Sequence, residues 1–298
     1  MNVFNESNDK YSQYPILLEL KHELELTNHA RRTIMNYVDL VFRFLEFSNV
    51  KDPFSLNEDH FRQFLIYLKQ SGLNPKSINA YNSHIRFFYQ AVLDIPLNLR
   101  RIPMMIARPK DIDFLSPDKI ISLLDCSKAD SRADCIIKLG LCCGMRINEV
   151  ISLKVSDIDI PNMRIFICQS KRNKSRFVPI DKTMYLALHR YSREYHLKKD
   201  DYLFTFTHLK VRTNNETIRR HFYFYRDLAN IPDSVTFHCL RHTFAVNYIN
   251  AGGDLLHLSY LMGHNSTATT NKYLHIAYTQ KMQIPSFMDS LLEVSDNG

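Results

Sequence analysis

Residues suited to chemistry on a phosphate are concentrated between His238 and Tyr273. His238 and Arg241 lie three residues apart, His264 follows a glycine, and Tyr273 comes nine residues after His264. This set contains no carboxylate base, which makes it an odd set for hydrolysis. Arginine contacts two phosphate oxygens at once, histidine donates to them, and a phenol can attack phosphorus. The residue types therefore favour a reaction on a phosphodiester.

Two helices and a turn are predicted to position these side chains. Apolar residues from His238 onward favour a helix that ends at Gly252-Gly253. On that helix His238 and Arg241 project from one face. A second apolar run, residues 255–262, ends at Gly263 and places His264 directly after it.

The order of these motifs resembles that of the tyrosine recombinases, the phage integrase family. Besides His-x-x-Arg, Gly-His and Tyr, the family has Thr-Gly-Leu-Arg with an acidic residue three positions later. Arg146 and Glu149 match that pattern, with Cys143 in the place of the threonine. Taken alone, Arg146 and Glu149 indicate only a surface ion pair. The resemblance covers nearly the whole chain, is strongest over 114–280, and favours an Xer-like two-domain member.

The resemblance also assigns a lysine. The family's β-hairpin has the pattern Gly-Lys-Gly-x-Lys-x-Arg-x-Val-Pro, and alignment on Val178-Pro179 places its active-site lysine at Lys171. Ser170 and Arg172 replace both glycines, so Lys174 is the alternative assignment. A lysine at a hairpin tip can protonate a leaving 5′-oxygen, or it can merely contact phosphates.

The family's mechanism gives each residue a role. It makes Tyr273 the nucleophile of a 3′-phosphotyrosyl link, while Tyr278 lacks the spacing. It makes Glu149 the orienting partner of an arginine and Lys171 the general acid, and we interpret His242 as structural. The expected phosphate ligands are Arg146, Arg241, His238 and His264. Because the link retains the bond energy, no metal, ATP or other cofactor is expected.

Composition and charge fit a globular protein with a polyanionic partner. Of 298 residues, 45% are hydrophobic and 7 are glycine, and the formal net charge is +7. Segment 76–110 has six basic residues against one acid, and segment 164–176 has five and none. The predicted DNA contacts are Lys76, Arg86, Arg100, Arg101, Arg108, Lys110, Arg172, Lys174 and Arg176.

The cysteine pattern and the N-terminal sequence predict the cellular compartment of the protein. The six cysteines all follow residue 120 and form no Cys-x-x-Cys pair, which favours buried thiols in a reducing cytosol. The N-terminus lacks a signal pattern, and no apolar run approaches the roughly 18 residues of a membrane helix. We therefore expect a cytoplasmic, nucleoid-associated protein with no membrane contact.

Helical patterns at 15–26, 28–47, 57–70 and 74–93 predict a four-helix N-terminal bundle. Asn28, Asn57 and the pair Asn74-Pro75 are the predicted helix starts. By itself such a bundle fits a generic interaction domain as well as a DNA-binding one whose last helix, with His84, lies against DNA. The resemblance makes it a core-binding, SAM-like domain over 1–95.

Residues 96–113 lack a clean period and are predicted as a basic linker, either a solvated connector or a strap along the duplex that lets two domains close around DNA. The catalytic domain over 114–298 is predicted as α+β, with a helix over 116–143 and strands at 155–160, 163–168 and 176–180. Helices at 182–197 and 216–229 precede the helices of the site, the last of which reaches Tyr273. The fold class is mainly α with a small antiparallel β-sheet.

The implied partners are double-stranded DNA with inverted-repeat core sites and three further copies of the chain. Recombining two sites needs four active sites, so a homo-tetramer is expected, with or without an accessory or sister recombinase. The tail 285–298 contains an amphipathic segment, 285–294, that resembles a tail docked into a neighbour; packing on its own core is the alternative. The sequence does not distinguish chromosome-dimer resolution, integration and plasmid resolution.

Three other functions fit parts of the sequence less well. In a metallohydrolase, the i,i+4 pair His238 and His242 would bind metal, but Arg241 would place a cation beside it. A type IB topoisomerase shares the tyrosine chemistry, but the N-terminal bundle resembles that of recombinases. A non-catalytic DNA-binding relative is disfavoured because all the main family positions are filled.

Overall fold

The computed structural model describes residues 11–107, 113–168, 175–205, 211–264 and 266–280. Contacts along the backbone divide the chain into a first unit, Met1–Lys110, and a second unit, Asp111–Gly298. Each unit has a hydrophobic core of its own. Within the described ranges, no helix combines the length and the apolar character needed to cross a membrane.

The first unit is the predicted bundle of four helices. They are α1 (Ile16–Leu26), α2 (Arg31–Ser48), α3 (Glu58–Gln70) and α4 (Pro75–Ala91). Each helix has an apolar stripe that faces the others, with Phe44, Phe61 and Tyr89 packed ring to ring at the centre. The side chain of Asn57 caps α3, and Asn74 followed by Pro75 starts α4, as the sequence predicts.

Asn28 does not cap α2. That helix begins at Arg31, with Ala30 at the cap position. Asn28 instead adopts a left-handed conformation, with φ of 56°, in the turn that ends α1. Asparagine tolerates this conformation better than most residues, and it lets the N–H of His29 donate to the carbonyl of Leu24 at 3.0 Å. The prediction was wrong because Asn28 closes the preceding helix.

The beginning of the predicted linker packs against α4. Asn79 on α4 donates to the carbonyl of Met105 at 2.9 Å and accepts from its N–H at 2.7 Å. Arg86 donates to the carbonyl of Ile102, whose side chain is buried. Side chains of α4 thus order a segment that has no periodic pattern of its own.

The second unit begins with two helices where one was predicted over 116–143. These are α5 (Pro117–Ser127) and α6 (Ser131–Cys143). The side chain of Asp130 accepts from the N–H groups of Arg132 and Ala133 at 2.9 and 3.1 Å, so it starts a new helix. Helix α6 lies in the core with most of its residues buried. A short helix, α7 (Ile147–Ser152), follows it.

The predicted antiparallel sheet is present, with shorter strands. Its order is β1 (Ile158–Asp159), β2 (Arg164–Ile167) and β3 (Arg176–Pro179). Residues 155–157 form a 3₁₀ turn in place of the start of the first strand. Ile165 pairs with Val178 on the buried face, which fixes the register of β3 against the core.

Five further helices follow among the described residues of the second unit. They are α8 (Lys182–Glu194), α9 (Asn215–Leu228), α10 (Phe237–Asn250), α11 (Leu255–Met262) and α12 (Ala268–Gln280). Helix α12 continues past Tyr273, where the sequence predicted only a short helix. The fold class is as predicted: mainly helical, with a three-stranded antiparallel sheet. The tail 285–298 lies outside the described residues.

The six cysteines are all free, and most of them serve packing. Cys135, Cys143 and Cys239 are buried, and Cys126 and Cys142 are half-buried. Burial raises the pKa of Cys142 to about 11, so its thiol is unreactive at neutral pH. The prediction of buried thiols was wrong for Cys168, which is exposed.

Candidate active site

Three consecutive carbonyl groups at the end of α11 accept hydrogen bonds from three arginines. The last carbonyls of a helix have no partner within it and carry the negative end of its dipole, so they attract guanidinium groups. The pairs are Leu261 O with Arg176 Nε at 2.6 Å, Met262 O with Arg241 Nη2, and Gly263 O with Arg146 Nη2 at 3.2 Å. We call Arg146, Arg176 and Arg241 the arginine cluster.

Glu149 is the carboxylate that holds this cluster together. Its oxygens accept from both Nη atoms of Arg176 at 3.0 Å, and from the backbone N–H and Nη1 of Arg146 at 2.8 and 3.0 Å. Burial by itself raises the pKa of Glu149, but hydrogen bonds and charge from Arg176, the Arg146 N–H and the charge of Arg241 outweigh it, and the pKa falls to about 2. Glu149 is therefore ionised at neutral pH, and this geometry supports its predicted orienting role.

Arg176 is a buried member of the cluster and not a DNA contact. Its side chain is 2% exposed and is bonded to Glu149 and to the carbonyl of Leu261. The prediction that Arg176 contacts DNA was therefore wrong. A signal was available: residues two apart on a strand share a face, so Arg176 lies on the same buried side as Val178.

Arg241 reaches from α10 into the centre of the second unit. Its side chain is 1% exposed, and its Nη1 donates to the carbonyl of Gly144 at 2.5 Å. Its Nη2 donates to the carbonyl of Met262 and lies 3.1 Å from Nε2 of His264. Gly144 has φ of 58°, and a Cβ there would lie 2.4 Å from the ring of Phe244. Only glycine fits at this position, so the Cys-Gly-Met-Arg turn depends on it.

The ring of His264 is oriented by Arg241 and Thr270. A guanidinium only donates, so Nε2 of His264 accepts from Arg241 and the proton lies on Nδ1. Nδ1 in turn lies 2.8 Å from the hydroxyl of Thr270, which is fully buried. Thr270 was not among the predicted site residues, although it precedes Tyr273 by three residues and so shares its face of α12.

The hydroxyl of Tyr273 forms a hydrogen bond with His242 in the core of the second unit. The Tyr273 side chain is 1% exposed, and its hydroxyl lies 2.7 Å from Nδ1 of His242. Burial raises the pKa of Tyr273 to about 12, although the charges of Arg241 and Arg146 act to lower it. From the sequence, His242 was predicted to be a structural residue. The signal that it faces the site was its i,i+4 spacing from His238, since such residues share a helix face.

His238 lies at the edge of the site. It is exposed and lines a cleft of about 380 Å³ together with Ile147, Thr236 and Phe237. Its ring packs edge-on against that of His242, with 4.4 Å between the centroids. His238 and Arg241 therefore both reach the site, one from the open cleft and one from the interior.

Positive charge exceeds negative charge in this site, where three arginines surround one carboxylate. Although His238 faces the cleft, partial desolvation of its ring and then the charges of Arg241, Lys272 and Arg146 lower its pKa to about 4. Burial and then neighbouring ionisable groups lower the pKa of His242 and of His264 to about 3, so all three histidines are neutral at neutral pH. Burial and the charge of Arg146 lower the pKa of Arg241 to about 9, although Glu149 opposes them. An entering phosphate would reverse these shifts, because an anion favours the charged form of each group. The site is electrostatically suited to an anion.

Comparison with known proteins decides the family. The model of the phage integrase family matches residues 113–280, more than half of the chain. This chain belongs to the phage integrase family. The model of the phage integrase N-terminal SAM-like domain matches residues 16–99, in the first unit.

Relatives of this family member include two Xer recombinases. It is 31% identical to tyrosine recombinase XerD of Oceanobacillus iheyensis, over 72% of this chain and 75% of the relative. It is 28% identical to tyrosine recombinase XerC of Bacillus pumilus, over 84% of this chain and 88% of the relative. The crystal structure of the XerH site-specific recombinase shares its fold, with a TM-score of 0.71 at 19% identity over 95% of this chain and 91% of that one. As a tyrosine recombinase, the chain is a site-specific DNA recombinase, and a type IB topoisomerase is not favoured.

The predicted DNA contacts of this integrase family member differ in their surroundings. Lys76 and Arg100 are exposed in the first unit. Arg86 points inward to the carbonyl of Ile102, so it orders its own chain where a phosphate contact was predicted. Arg101 pairs with Glu58 and Asp59 at 3.0 and 2.7 Å. Five residues assigned from the sequence lie outside the described ranges: Arg108, Lys110, Lys171, Arg172 and Lys174.

Proposed function

We propose that this recombinase cuts and rejoins DNA through a 3′-phosphotyrosyl link to Tyr273. One observation carries the proposal: the hydroxyl of Tyr273 is buried in a site whose arginine cluster is held on the end of α11. The charges of Arg241 and Arg146 act on the phenol, where they favour its ionised form. Fixed cations beside a nucleophile are what a phosphoryl-transfer transition state requires.

Arg146 and Arg241 bind the non-bridging oxygens of the scissile phosphate, with His238 as a further donor. His264 becomes a donor as well when the phosphate favours its protonated form. Within the described chain, protein partners occupy three of the five N–H groups of Arg241, through Gly144, Met262 and His264. These bonds fix the guanidinium before substrate arrives, so little reorganisation is needed in the transition state. The side chain of Arg146 is 35% exposed, which gives a phosphate access to the cluster.

The reaction proceeds in two transfers. Tyr273 attacks phosphorus, and the 5′-oxygen leaves with a proton from Lys171, for which Lys174 is the alternative. The 5′-hydroxyl of a partner strand then attacks the phosphotyrosine and releases Tyr273. Because the phosphotyrosine retains the energy of the broken bond, the cycle requires neither ATP nor a metal.

The partner is duplex DNA with inverted-repeat core sites, and the active form is a homo-tetramer in the cytoplasm, on the nucleoid. Support comes from XerH, a relative in fold that was crystallised on a palindromic difH substrate in a post-cleavage complex. Lys76 and Arg100 are the exposed candidates for phosphate contacts in the first unit. In this proposal the tail 285–298 docks into a neighbouring copy, with packing on its own chain as the alternative.

A covalent-trapping assay tests the nucleophile. DNA bound by the protein in its host is sequenced to define the site, and a nicked duplex carrying that site is incubated with the protein in EDTA. We expect wild type to give a protein–DNA band that resists denaturant and maps to the Tyr273 peptide. Tyr273→Phe should give no band and bind the site within a few-fold of wild type.

Tyr248→Phe is the matched control, because it removes another hydroxyl that bonds a histidine in the same unit. It should form the band at the wild-type rate. A band that survives in Tyr273→Phe, or maps to another tyrosine such as Tyr278, would contradict the proposal. Tight binding without any band would also contradict it, in favour of a non-catalytic role.

A further inference from the structure

The bond between His242 and Tyr273 gives the buried phenol a proton acceptor. Nδ1 of His242 lies 2.7 Å from the Tyr273 hydroxyl, and the ring centroids are 5.5 Å apart. Tyr273 is almost completely buried, so water does not compete freely for this hydrogen bond. The hydroxyl that reacts with phosphorus therefore meets an imidazole from the next helix.

Packing on both sides holds His242 in this position. His238, one turn earlier on α10, packs edge-on against its ring at 4.4 Å. Tyr273 belongs to a small apolar cluster with Ala245, Val246 and Met262, which joins α12 to α10 and α11. The two reacting groups thus lie on packed helices, as precise proton transfer requires.

The other groups of the site are unsuited to accept this proton. Arginines carry no lone pair for it. Both oxygens of Glu149 accept from Arg146 and Arg176. The Nε2 of His264 accepts from Arg241, and its protonated Nδ1 lies against Thr270. Among the described residues, His242 is the acceptor that the Tyr273 hydroxyl contacts.

We propose that His242 is the general base that takes the proton of Tyr273 in cleavage and returns it in rejoining, an inference that rests on the proposed function. In cleavage the Tyr273 oxygen bonds to phosphorus and its proton moves to Nδ1. The bond from phosphorus to the 5′-oxygen breaks, and its electron pair stays on that oxygen, which takes a proton from Lys171. In rejoining, the incoming 5′-hydroxyl gives its proton to the lysine, and Nδ1 returns its proton to the departing phenolate.

The charges around His242 keep its ring neutral until a phosphate enters the site. The groups that face it are His238 and Arg241 on α10, Lys272 and Tyr273 on α12, and His264 after α11. Burial, and after it repulsion between His242 and the ionisable groups His238, Lys272, Arg241 and His264, lower the pKa of His242 to about 3, so Nδ1 is unprotonated at neutral pH. The scissile phosphate adds a negative charge beside it, which raises this pKa and favours the protonated product of the transfer.

The pH dependence of single-turnover cleavage separates a base from a structural residue. Without a base, attack requires the phenolate, and below the phenol's pKa of about 12 its fraction rises about tenfold per pH unit. With His242 neutral, wild-type cleavage should not show that rise. We would measure adduct formation on the nicked site between about pH 6 and pH 8.5 for wild type, His242→Phe and His242→Asn. His242→Asn keeps an acceptor near Nδ1 but cannot carry the proton.

Both variants should cleave about 10²- to 10⁴-fold more slowly than wild type at pH 7, and their rates relative to wild type should rise about tenfold per pH unit. Their DNA affinity should stay within a few-fold. DNA with sulfur in place of the bridging 5′-oxygen needs no protonation of its leaving group, so it should rescue Lys171→Ala and fail to rescue His242→Phe. The matched control is His257→Phe, which removes the exposed bond to Tyr248 and should cleave as wild type does.

The outcomes separate this inference from the proposed function. If wild type forms no adduct, the phosphotyrosine proposal itself fails. If wild type cleaves and His242→Asn keeps both its rate and its pH profile, His242 only positions the phenol and the base assignment is overturned. Faster cleavage by either variant would also overturn it, because the bond would then hold Tyr273 in a resting position.

Discussion

Two histidine–tyrosine pairs in the second unit have the same hydrogen bond and different surroundings. His242 with Tyr273 and His257 with Tyr248 both have 2.7 Å between Nδ1 and the hydroxyl, and α10 contributes one residue to each pair. The first is buried beside the arginine cluster, whereas the second lies on the surface. We call them the inner and the outer pair.

The sign of the neighbouring charge separates the two phenols. Burial raises the pKa of both. At the outer pair the carboxylate of Asp254 raises the pKa of Tyr248 further, whereas at the inner pair Arg241 and Arg146 lower that of Tyr273. The same cations attract a phosphate to Tyr273. The surroundings, more than the hydrogen bond itself, make one pair suited to phosphoryl transfer.

Arg241→Lys should have the largest effect, because it changes the arginine surroundings that distinguish the inner pair from the outer pair. A lysine cannot span Gly144, Met262 and His264 as the planar guanidinium does, and it presents fewer donors to phosphate. We expect cleavage to fall on the order of 10²- to 10³-fold, because an individual transition-state donor is worth that much. Single-turnover adduct formation measures this loss. The control is Arg193→Lys at an exposed arginine on α8, which should cleave at the wild-type rate. A loss of cleavage of less than tenfold in Arg241→Lys would contradict the importance of the arginine cluster for the inner pair.

Glu149→Gln should destabilise the protein by about 3 kcal/mol, since it leaves buried Arg176 without its ion-pair partner. Urea unfolding monitors the change. The control is Asp159→Asn, which removes the more exposed pair with Arg164 and should destabilise the protein much less. Equal losses in the two variants would show that the buried cluster does not depend on its carboxylate.

The pH dependence of this stability has a defined sign. The pKa of Glu149 is lowered from 4.5 to about 2 on folding. The stability that its carboxylate contributes is therefore fully present above pH 4.5 and is lost as the pH falls through about 2. The difference in the free energy of unfolding between wild type and Glu149→Gln should therefore become smaller as the pH falls from 4.5 to about 2. A gap that stays constant down to pH 2 would contradict the assigned pKa.

Thr270→Val should slow cleavage by a smaller factor than Arg241→Lys. It removes the acceptor that keeps the proton of His264 on Nδ1. A single buried hydrogen bond is worth about 1 kcal/mol, so cleavage should fall about fivefold. Nitrogen chemical shifts of His264 should show loss of the single tautomer. Thr269→Val, at the exposed neighbouring position, is the control; an unchanged tautomer in Thr270→Val would remove the orienting role.

Tyr248→Phe should have the smallest effect. The outer pair is exposed, so its loss should change stability by less than about 0.5 kcal/mol and cleavage by less than twofold. Urea unfolding and adduct formation both test this. A large loss of cleavage without a loss of stability would mean that the hydrogen bond between histidine and tyrosine matters wherever it lies.

The sequence by itself determined most of the helices and the contacts between polar residues that lie close together along the chain. Apolar spacing placed α11 over residues 255–262 and its end at Gly263. The offset of three residues predicted that Glu149 would pair with Arg146, which it does. Helix spacing and turn geometry act over a few residues, and this is why local patterns predict them. Asn28 shows the limit, since one residue can start a helix or end the one before it.

Only the tertiary structure decided which distant residues complete the site. Arg176 meets the carbonyl of Leu261, His242 meets Tyr273, and Thr270 meets His264, each through the packing of one element on another. From the sequence, Arg176 was one of several basic residues predicted to contact DNA at the surface. His242 was only the residue next to the His-x-x-Arg motif. Burial removes water from such groups, so the partners that packing brings to them set their charge and their role.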